Sequence, residues 1–585
     1  MPEKDEEVQF RVNAMFGCSP CLWQIEVARS VLAGKDVITV APTGAGKSLT
    51  YWIPLAFTEK GVIMVILPLK QLGTQFSSWL NSKGLTAVSV TAENSSKELY
   101  SDMKNGQYRV IMFSPEIIEQ DSRFDALIKN KVFNKSLINV VFDEAHCIKE
   151  WGSTFRNSYH KLGHLRHLMS RRVPYHLGTA TLAPSAVEPL KKELRLSPDT
   201  TVLRLNTDRP NIFFRVRRME YPINSYHDLA FLIPKDLDAD GPLPLKFIVF
   251  FNSRKEAEEG AKFLRSRLPS KYRDKLKWVH SGMTDEFRED AIHALKIGED
   301  IGACATDAVG LGIDIPDIYI MVQFRVPAII STWIQRAGRA VRNLLLEGTA
   351  ILLAEPTMFD DSKLEARAQT NQRDVGPSTL LADKENEPLR QPEQLTDGRP
   401  AKRARINNIS SATKRTGKGS AQSKRKKSVP RKRLAMTDEV VALDIHGIPI
   451  KVDRAMDDFI NAGNRPEKCR RRIACIHFGN VGIVPFAPNY CCPRCAPRTA
   501  RHCCDVCEPQ YWPVVIDEPY EKPRIPSRYN PREYKRAMPE EQLKEGLLAL
   551  RRDFFEEKLP GRSLLSYWNE SSTWHITDAS QRLLM

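Results

Sequence analysis

Short runs of apolar, mostly β-branched residues recur through the first 355 residues, separated by longer amphipathic stretches. Such runs are typical of strands buried on both faces, and strands that alternate with helices form parallel sheets. The pattern therefore predicts an α/β protein. The clearest predicted strands are 37–40, 62–66, 110–113, 140–142, 247–251, 301–305, 318–322 and 350–353.

The predicted strands fall into two series, and we interpret residues 1–205 and 206–355 as two α/β lobes. Residues 356–436 are rich in Gln, Ser, Thr, Pro, Lys and Arg, with few bulky apolar side chains. They cannot bury enough surface to become ordered, so a disordered basic linker is expected. Residues 437–510 hold a cysteine-rich subdomain, and residues 511–585 form a tail of unknown fold.

Most of the net charge of +16 comes from the predicted linker, which has 14 Lys or Arg and no Asp or Glu between residues 399 and 433. The clusters at 402–405 and 424–427 resemble a two-part nuclear import signal, which predicts a nuclear protein; a DNA-tethering tail is a compatible alternative. No run of about 18 apolar residues could span a membrane. The acidic N-terminus lacks the features of a secretory signal, so we expect an intracellular protein.

Eight of the 12 cysteines lie between residues 469 and 507. In a reducing compartment this density favours metal ligation over disulfides, and thiolates favour a closed, structural Zn²⁺ site. Cys504 and Cys507 have the spacing of a ligand pair. Cys492 and Cys495 form a second pair with the same spacing, so the ligand set remains open.

Residues 41–48, Ala-Pro-Thr-Gly-Ala-Gly-Lys-Ser, follow a predicted strand and precede a predicted helix. In such a loop the glycines let backbone N–H groups face the phosphates of a nucleotide. Lys47 adds a positive charge, and Ser48 can bind Mg²⁺. The candidates for binding ATP and Mg²⁺ in this loop are Thr43, Gly44, Ala45, Gly46, Lys47 and Ser48.

Asp143 and Glu144 follow the predicted strand 140–142, where ligand sites of parallel sheets form. Asp143 is expected to hold Mg²⁺, and Glu144 to orient and deprotonate the attacking water. In the second lobe, Arg339 and Arg342 lie three residues apart and are candidate arginine fingers. The alternative is a basic helix face paired with surface acids.

Several segments, in chain order, resemble the motifs of superfamily-two helicases. These are Gln24, the loop at 41–48, Asp143-Glu144-Ala145-His146, Thr179-Ala180-Thr181, 252–255, 307–314 and 335–342. Residues 147–156, Cys-Ile-Lys-Glu-Trp-Gly-Ser-Thr-Phe-Arg, are similar to the aromatic-rich loop of RecQ helicases. The resemblance implies two tandem RecA-like lobes and an ATP-dependent 3′ to 5′ DNA helicase active in recombination and repair.

The resemblance also implies roles for particular residues. It adds His146 and Gln335 to the catalytic set, and Gln24 and Asp314 to the nucleotide site. The DNA-binding residues that it implies are Trp151, Phe155, Arg156, Ser253, Arg254 and Thr306. The cysteine segment is similar to the RecQ zinc subdomain, which implies the ligands Cys469, Cys503, Cys504 and Cys507, with Cys492 or Cys495 as alternatives to Cys503.

The expected cofactors are therefore ATP, Mg²⁺ and Zn²⁺, and the expected partner is single-stranded, forked or junction DNA. Roughly 80 residues separate the second lobe from the zinc subdomain, which leaves its docking open. No winged helix or helicase-and-RNase-D-like C-terminal domain is recognisable among the 78 residues after Cys507. A DNA-stimulated ATPase that regulates without unwinding is therefore the alternative, and an RNA helicase is a third.

Overall fold

The computed structural model describes residues 1–68, 70–150, 156–234, 237, 243–307, 315–365, 439–443, 449–481 and 500–511. For residues 149, 150, 156–161, 439–443 and 449–451 it describes the backbone alone. Each described helix is too short or too polar to cross a membrane.

The first lobe is built on a parallel sheet of seven strands in the order β3-β4-β2-β5-β6-β1-β7. The strands are β1 (Val37–Val40), β2 (Val62–Ile66), β3 (Ala87–Val90), β4 (Val110–Phe113), β5 (Leu137–Phe142), β6 (Tyr175–Thr179) and β7 (Thr201–Arg204). The inner strands β1, β2 and β4 are buried along their whole length, as expected where helices cover both faces of a sheet.

The helices of the first lobe alternate with these strands. They are α1 (Asp5–Phe16), α2 (Leu22–Leu32), α3 (Lys47–Trp52), α4 (Lys70–Ser82), α5 (Lys97–Lys104), α6 (Pro115–Gln120), α7 (Ser122–Lys129), α8 (Lys131–Ser136), α9 (Cys147–Glu150), α10 (Arg156–Leu168) and α11 (Pro184–Glu193). Ser96, Ser114 and Asn130 accept hydrogen bonds from backbone N–H groups at the starts of α5, α6 and α8, which satisfies donors that a helix leaves open.

The second lobe has a parallel sheet of six strands in the order β10-β11-β9-β12-β13-β8. The strands are β8 (Ile212–Arg218), β9 (Phe247–Phe250), β10 (Leu276–Val279), β11 (Gly302–Ala305), β12 (Ile320–Phe324) and β13 (Gly348–Ala354). The helices among its described residues include α12 (Arg254–Arg267), α13 (Asp285–Ile297) and α14 (Ile330–Ala337). The two RecA-like lobes predicted from the sequence are thus confirmed.

The cysteine-rich part of the chain adds an antiparallel hairpin and two helices. These are β14 (Glu439–Leu443), β15 (Pro449–Asp453), α15 (Arg454–Ile460) and α16 (Arg470–His477). Met456, Phe459 and Ile473 share one buried cluster with Trp333 and Phe214 of the second lobe. The sequence left docking of this module open; in the structure it is packed directly on the second lobe.

The same module contacts the edge of the second sheet. Phe214 in β8 forms an isolated parallel bridge with Cys504. Its N–H donates to the carbonyl of Cys503 at 3.3 Å, and the N–H of Asp505 donates to the carbonyl of Phe214 at 3.1 Å. The segment 503–505 therefore continues the sheet for a short distance beyond its last strand.

Residues on the far side of two predicted boundaries pack on the folded parts of the chain. The linker was expected to begin at residue 356, but Met358 is buried and Lys363 pairs with Asp457 of α15. Tyr511, assigned to the tail, stacks on His502 with ring centroids 3.6 Å apart. The rest of the predicted linker and the tail from residue 512 lie outside the described residues.

Candidate nucleotide and nucleic-acid site

The candidate nucleotide site lies at the carboxyl ends of β1, β5 and β6, which are neighbours in the first sheet. The phosphate loop follows β1, the acidic pair follows β5, and Thr179-Ala180-Thr181 follows or ends β6. Because parallel strands end at the same edge of a sheet, residues from three distant parts of the sequence converge there. Side chains of the second lobe contact the same edge.

The phosphate loop has the backbone that the sequence predicts for a cradle of N–H groups. Gly44 has a φ of 84° and Gly46 a φ of 85°, in the left-handed region that favours glycine. The Lys47 Nζ donates to the carbonyls of Ala41 at 3.0 Å and Pro42 at 3.3 Å. The ammonium group therefore lies over the loop, where the phosphates of a nucleotide are expected.

Opposing charges meet at Lys47. Burial lowers its pKa, the charges of Glu144 and Asp143 raise it, and those of Arg342 and Arg339 lower it again. Arg339 is buried, with 5% of its surface exposed, and its charge also acts on Glu144. The structure thus brings the lysine and acids of the first lobe together with both candidate arginine fingers of the second.

Asp143 is held by a residue that sequence reasoning missed. The hydroxyl of Tyr51 donates a hydrogen bond to Asp143 Oδ1 at 2.7 Å. A side chain at Gly178 would place its Cβ 1.9 Å from that hydroxyl, so glycine is required there. Tyr51 lies one helical turn after Lys47, a spacing that could have singled it out.

The two acids, both partly exposed, have different protonation behaviour. Burial and the charge of Glu144 raise the pKa of Asp143 to about 6. The pKa of Glu144 stays low in spite of burial, because its carboxylate lies 3.3 Å from His146 Nδ1 and also feels Lys47. Two carboxylates that repel each other in a partly buried site form a donor set that fits a divalent cation such as Mg²⁺.

The two lobes are joined through Gln335 at the end of α14. Its Nε2 lies 2.7 Å from His146 Nε2 and donates to Thr181 Oγ1 at 2.6 Å. Thr179 Oγ1 lies 3.1 Å from His146 Nδ1 and accepts from the N–H of Thr181 at 3.2 Å. Gln335 of the second lobe therefore contacts both the acidic motif and the segment after β6.

Arg336, next to Gln335, was not singled out from the sequence and acts within the second lobe. Its guanidinium pairs with Asp307 and donates to Asn252 Oδ1 at 3.1 Å and Gln323 Oε1 at 2.5 Å. These partners follow β11 and β9 and lie in β12. Arg336 thus fixes the carboxyl edge of the second sheet, while Arg339 faces the nucleotide site.

Gln24, which the resemblance adds to the nucleotide site, is fully buried beside the phosphate loop. Its amide oxygen accepts from the N–H of Cys21 at 2.7 Å, and its Nε2 donates to the carbonyl of Gly46 at 2.8 Å. Gln24 therefore ties the start of α2 to the loop. Trp23 is a core residue, with 2% of its surface exposed.

The candidate DNA-binding residues are described in part. Ser253 and Arg254 are exposed at the start of α12, and Thr306 follows β11, which is paired with β9. These three residues share the carboxyl edge of the second sheet. Arg156 is the first residue of α10, with only its backbone described, and Trp151, Phe155 and Asp314 lie outside the described residues.

Four cysteines form a compact cluster that could hold a metal. The sulfur atoms of Cys469, Cys503, Cys504 and Cys507 all lie within 4.8 Å of one another. The contacts Cys469–Cys503 and Cys504–Cys507 are each 3.5 Å, close to the ~3.8 Å expected between sulfurs around a tetrahedral Zn²⁺. Cys492 and Cys495 lie outside the described residues, so the four clustered thiols alone can be compared.

Residues 22–190 match the family model of the DEAD/DEAH box helicase domain, and residues 243–343 match that of the helicase conserved C-terminal domain. The chain is 29% identical to the probable ATP-dependent DNA helicase RecS of Bacillus subtilis, over 58% of this chain and 64% of that protein. It is 27% identical to the ATP-dependent DNA helicase RecQ of Synechocystis, over 58% of this chain and 69% of that protein.

Among solved structures, the DUF1998 helicase MrfA bound to DNA and AMPPNP aligns with a TM-score of 0.49. The identity is 20%, and the alignment covers 64% of this chain and 53% of that chain. The chain therefore spans somewhat less than two thirds of RecS and about half of MrfA.

Proposed function

We propose that the chain is an ATP-dependent DNA helicase of the RecQ family, because residues 22–190 and 243–343 match the two helicase domain models and the chain is similar to RecS and RecQ. It couples ATP hydrolysis to movement along single-stranded DNA in the 3′ to 5′ direction and separates duplex strands. RecS and RecQ, which it resembles, are named as DNA helicases, which favours DNA over RNA as the substrate.

The observation that carries this proposal is the contact of Gln335 with His146 and Thr181. This contact joins the two lobes at the cleft between them. Lys47 lies on the first-lobe side of the cleft and Arg339 on the second-lobe side. In this arrangement Asp143 and Ser48 would hold Mg²⁺, which would supply positive charge to the phosphates, while Glu144 orients and deprotonates water. Loss of the γ-phosphate weakens the link between the lobes, so that they open and close as ATP turns over.

Two assays on the purified chain test the proposal. ATP hydrolysis is measured with single-stranded DNA and with RNA of the same sequence, and we expect the DNA to stimulate more strongly. Unwinding is measured on a forked duplex and on partial duplexes with a 3′ or a 5′ tail, and we expect the fork and the 3′-tailed substrate to open. DNA-stimulated hydrolysis without unwinding would instead indicate a regulatory ATPase.

Replacing Gln335 with Ala should lower DNA-stimulated hydrolysis by about tenfold or more, because general positioning effects in active sites reach this size. Binding of a non-hydrolysable nucleotide should change little, since Gln335 lies beside His146 rather than over the phosphate loop. Nucleotide titration and steady-state kinetics measure the two effects. The control Gln107→Ala, at an exposed turn of the first lobe, should leave both unchanged.

We further propose that the four-cysteine cluster binds one structural Zn²⁺. Cys469→Ser should abolish zinc retention and lower the melting temperature by several degrees, because binding a structural metal contributes free energy directly to folding. Zinc content is measured by atomic emission and stability by thermal unfolding. Cys475→Ser, on the helix that Cys469 caps but outside the cluster, should keep the metal. Equal zinc content in both variants would contradict the assignment.

Nuclear localisation remains a further proposal, supported by the basic clusters at 402–405 and 424–427. A role in recombination and repair follows only from the family resemblance.

A further inference from the structure

The segment that joins the two lobes contains a buried arginine that none of the helicase motifs includes. Arg209 lies between β7 and β8, and only 8% of its surface is exposed. Its guanidinium donates to three backbone carbonyls in the loop after α14. These are Gly338 at 3.1 Å, Ala340 at 3.2 Å and Val341 at 2.8 Å.

Those carbonyls belong to the residues that flank Arg339 and precede Arg342. A planar guanidinium that fills three acceptors at once fixes the relative positions of the peptide groups that carry them. Arg209 therefore holds the backbone from which both candidate arginine fingers project, without itself lying among the groups that act on Lys47.

The backbone of this loop is strained at Val341. Its φ of 32° lies in the left-handed region, where a β-branched residue is a clear outlier. Such conformations persist only when surrounding contacts hold them, and they are concentrated at functional sites. The carbonyl of Val341 accepts from both Arg209 and Asn211 Nδ2, the latter at 3.0 Å, and its N–H donates to the carbonyl of Ile318 at 2.9 Å.

The joining segment is held from its other side by the cysteine-rich module. Arg471 of α16 pairs with Asp208 at 2.7 Å, donates to the carbonyl of Arg209 at 2.9 Å, and donates to the carbonyl of Ile212. Arg471 is itself buried, with 8% exposed. Arg471 of the cysteine-rich module therefore holds the segment 208–212, and Arg209 of this segment holds the loop 338–342 of the second lobe.

We propose that Arg209 is a positioning residue for the arginine fingers: it keeps the loop 338–342 in its strained form so that Arg339 and Arg342 reach the transferring phosphoryl group. This inference rests on the proposed ATPase function. Its physical basis is that transition-state stabilisation by a cation depends on placement in advance, and small displacements of the group lose much of the rate.

The test uses Arg209→Lys in the full chain, which keeps the charge but cannot bind three carbonyls in a fixed plane. We expect kcat for DNA-stimulated ATP hydrolysis to fall by about 10- to 100-fold, with the KM for ATP changed less than about threefold. Affinity for ADP with aluminium fluoride, which mimics the transferring phosphoryl group, should weaken, while affinity for AMPPNP should not.

Arg109→Lys is the matched control. Arg109 also donates to three carbonyls, those of Gly61, Glu59 and Thr58, but in the first lobe and away from the cleft. Its variant should leave kcat and both affinities unchanged. If Arg109→Lys lowers kcat as much as Arg209→Lys, or if AMPPNP and aluminium fluoride complexes weaken alike, the positioning role is refuted.

Two further measurements separate this inference from the proposed function. In a background with both Arg339→Ala and Arg342→Ala, Arg209→Lys should add little further loss, because Arg209 acts through these two arginines; full additivity would refute the inference. Amide hydrogen exchange needs no turnover, and the peptide spanning 338–342 should exchange faster in Arg209→Lys than in the native chain. Unchanged exchange overturns the inference even if the protein proves not to hydrolyse ATP.

Discussion

Replacing Lys47 with Ala is expected to reduce ATP hydrolysis by about 10³-fold or more, since the variant loses the positive charge nearest the β- and γ-phosphates. The effect should be this large because Lys47 lies among the charges of Asp143, Glu144, Arg339 and Arg342 in a partly buried site, where charges interact more strongly than in water. Hydrolysis with saturating single-stranded DNA measures it.

DNA affinity should stay largely intact in this variant, because Lys47 lies over the phosphate loop and not on the exposed edge with Ser253 and Arg254. Fluorescence anisotropy with a labelled oligonucleotide measures this affinity. Lys191→Ala, on α11 of the same lobe, is the control and should hydrolyse ATP normally. Turnover retained by Lys47→Ala would show that the nucleotide site is assigned wrongly.

The second large effect is expected for Arg339→Ala, with a loss of about 10³- to 10⁵-fold in kcat, the range found for arginine fingers elsewhere. Arg339 is buried, and its charge acts on both Lys47 and Glu144. In the variant, no buried guanidinium at this position stabilises the negative charge that develops on the phosphoryl oxygens. AMPPNP binding should change much less than kcat, because the finger acts mainly in the transition state.

Arg273→Ala is a suitable control for Arg339→Ala. It belongs to the same lobe but precedes β10, at the amino edge of the sheet and thus opposite the cleft. A variant of Arg339 that hydrolyses ATP at the control rate would mean that this arginine only pairs with acids in the folded state, which was the alternative interpretation of the sequence.

Strands were predicted correctly where a buried strand is an uninterrupted run of mainly apolar residues. β1, β2 and β4 are short runs of Val, Ile, Met, Phe and one Thr, and the predicted and observed bounds coincide. β6, Tyr-His-Leu-Gly-Thr, was not among the clearest predicted strands, because His176 and Gly178 interrupt its apolar pattern. Both residues are explained by tertiary contacts: His176 Nε2 lies 3.0 Å from Thr39 Oγ1, and Gly178 leaves room for Tyr51.

The candidate site was predictable where a motif couples residue type to chemistry, as for Lys47 and the acidic pair. Contacts that depend on distant segments were not. Arg209 reaches its acceptors about 130 residues further along the chain, and Arg471 reaches Arg209 from 262 residues away. Nothing in the local pattern of either arginine distinguishes it from a surface cation, so only the folded structure identifies them.

The short bridge between Phe214 and Cys504 joins the outer strand of the second sheet to the four-cysteine cluster for which we propose a Zn²⁺. β8 is the last strand of the second sheet, paired with β13 on one side and with residues 503–505 on the other. An uncovered outer strand offers unpaired amide and carbonyl groups to other chains, which promotes association. We therefore expect chelation of the metal to destabilise the cysteine-rich module and to cause self-association through β8. Light scattering measures this association and should rise with protein concentration.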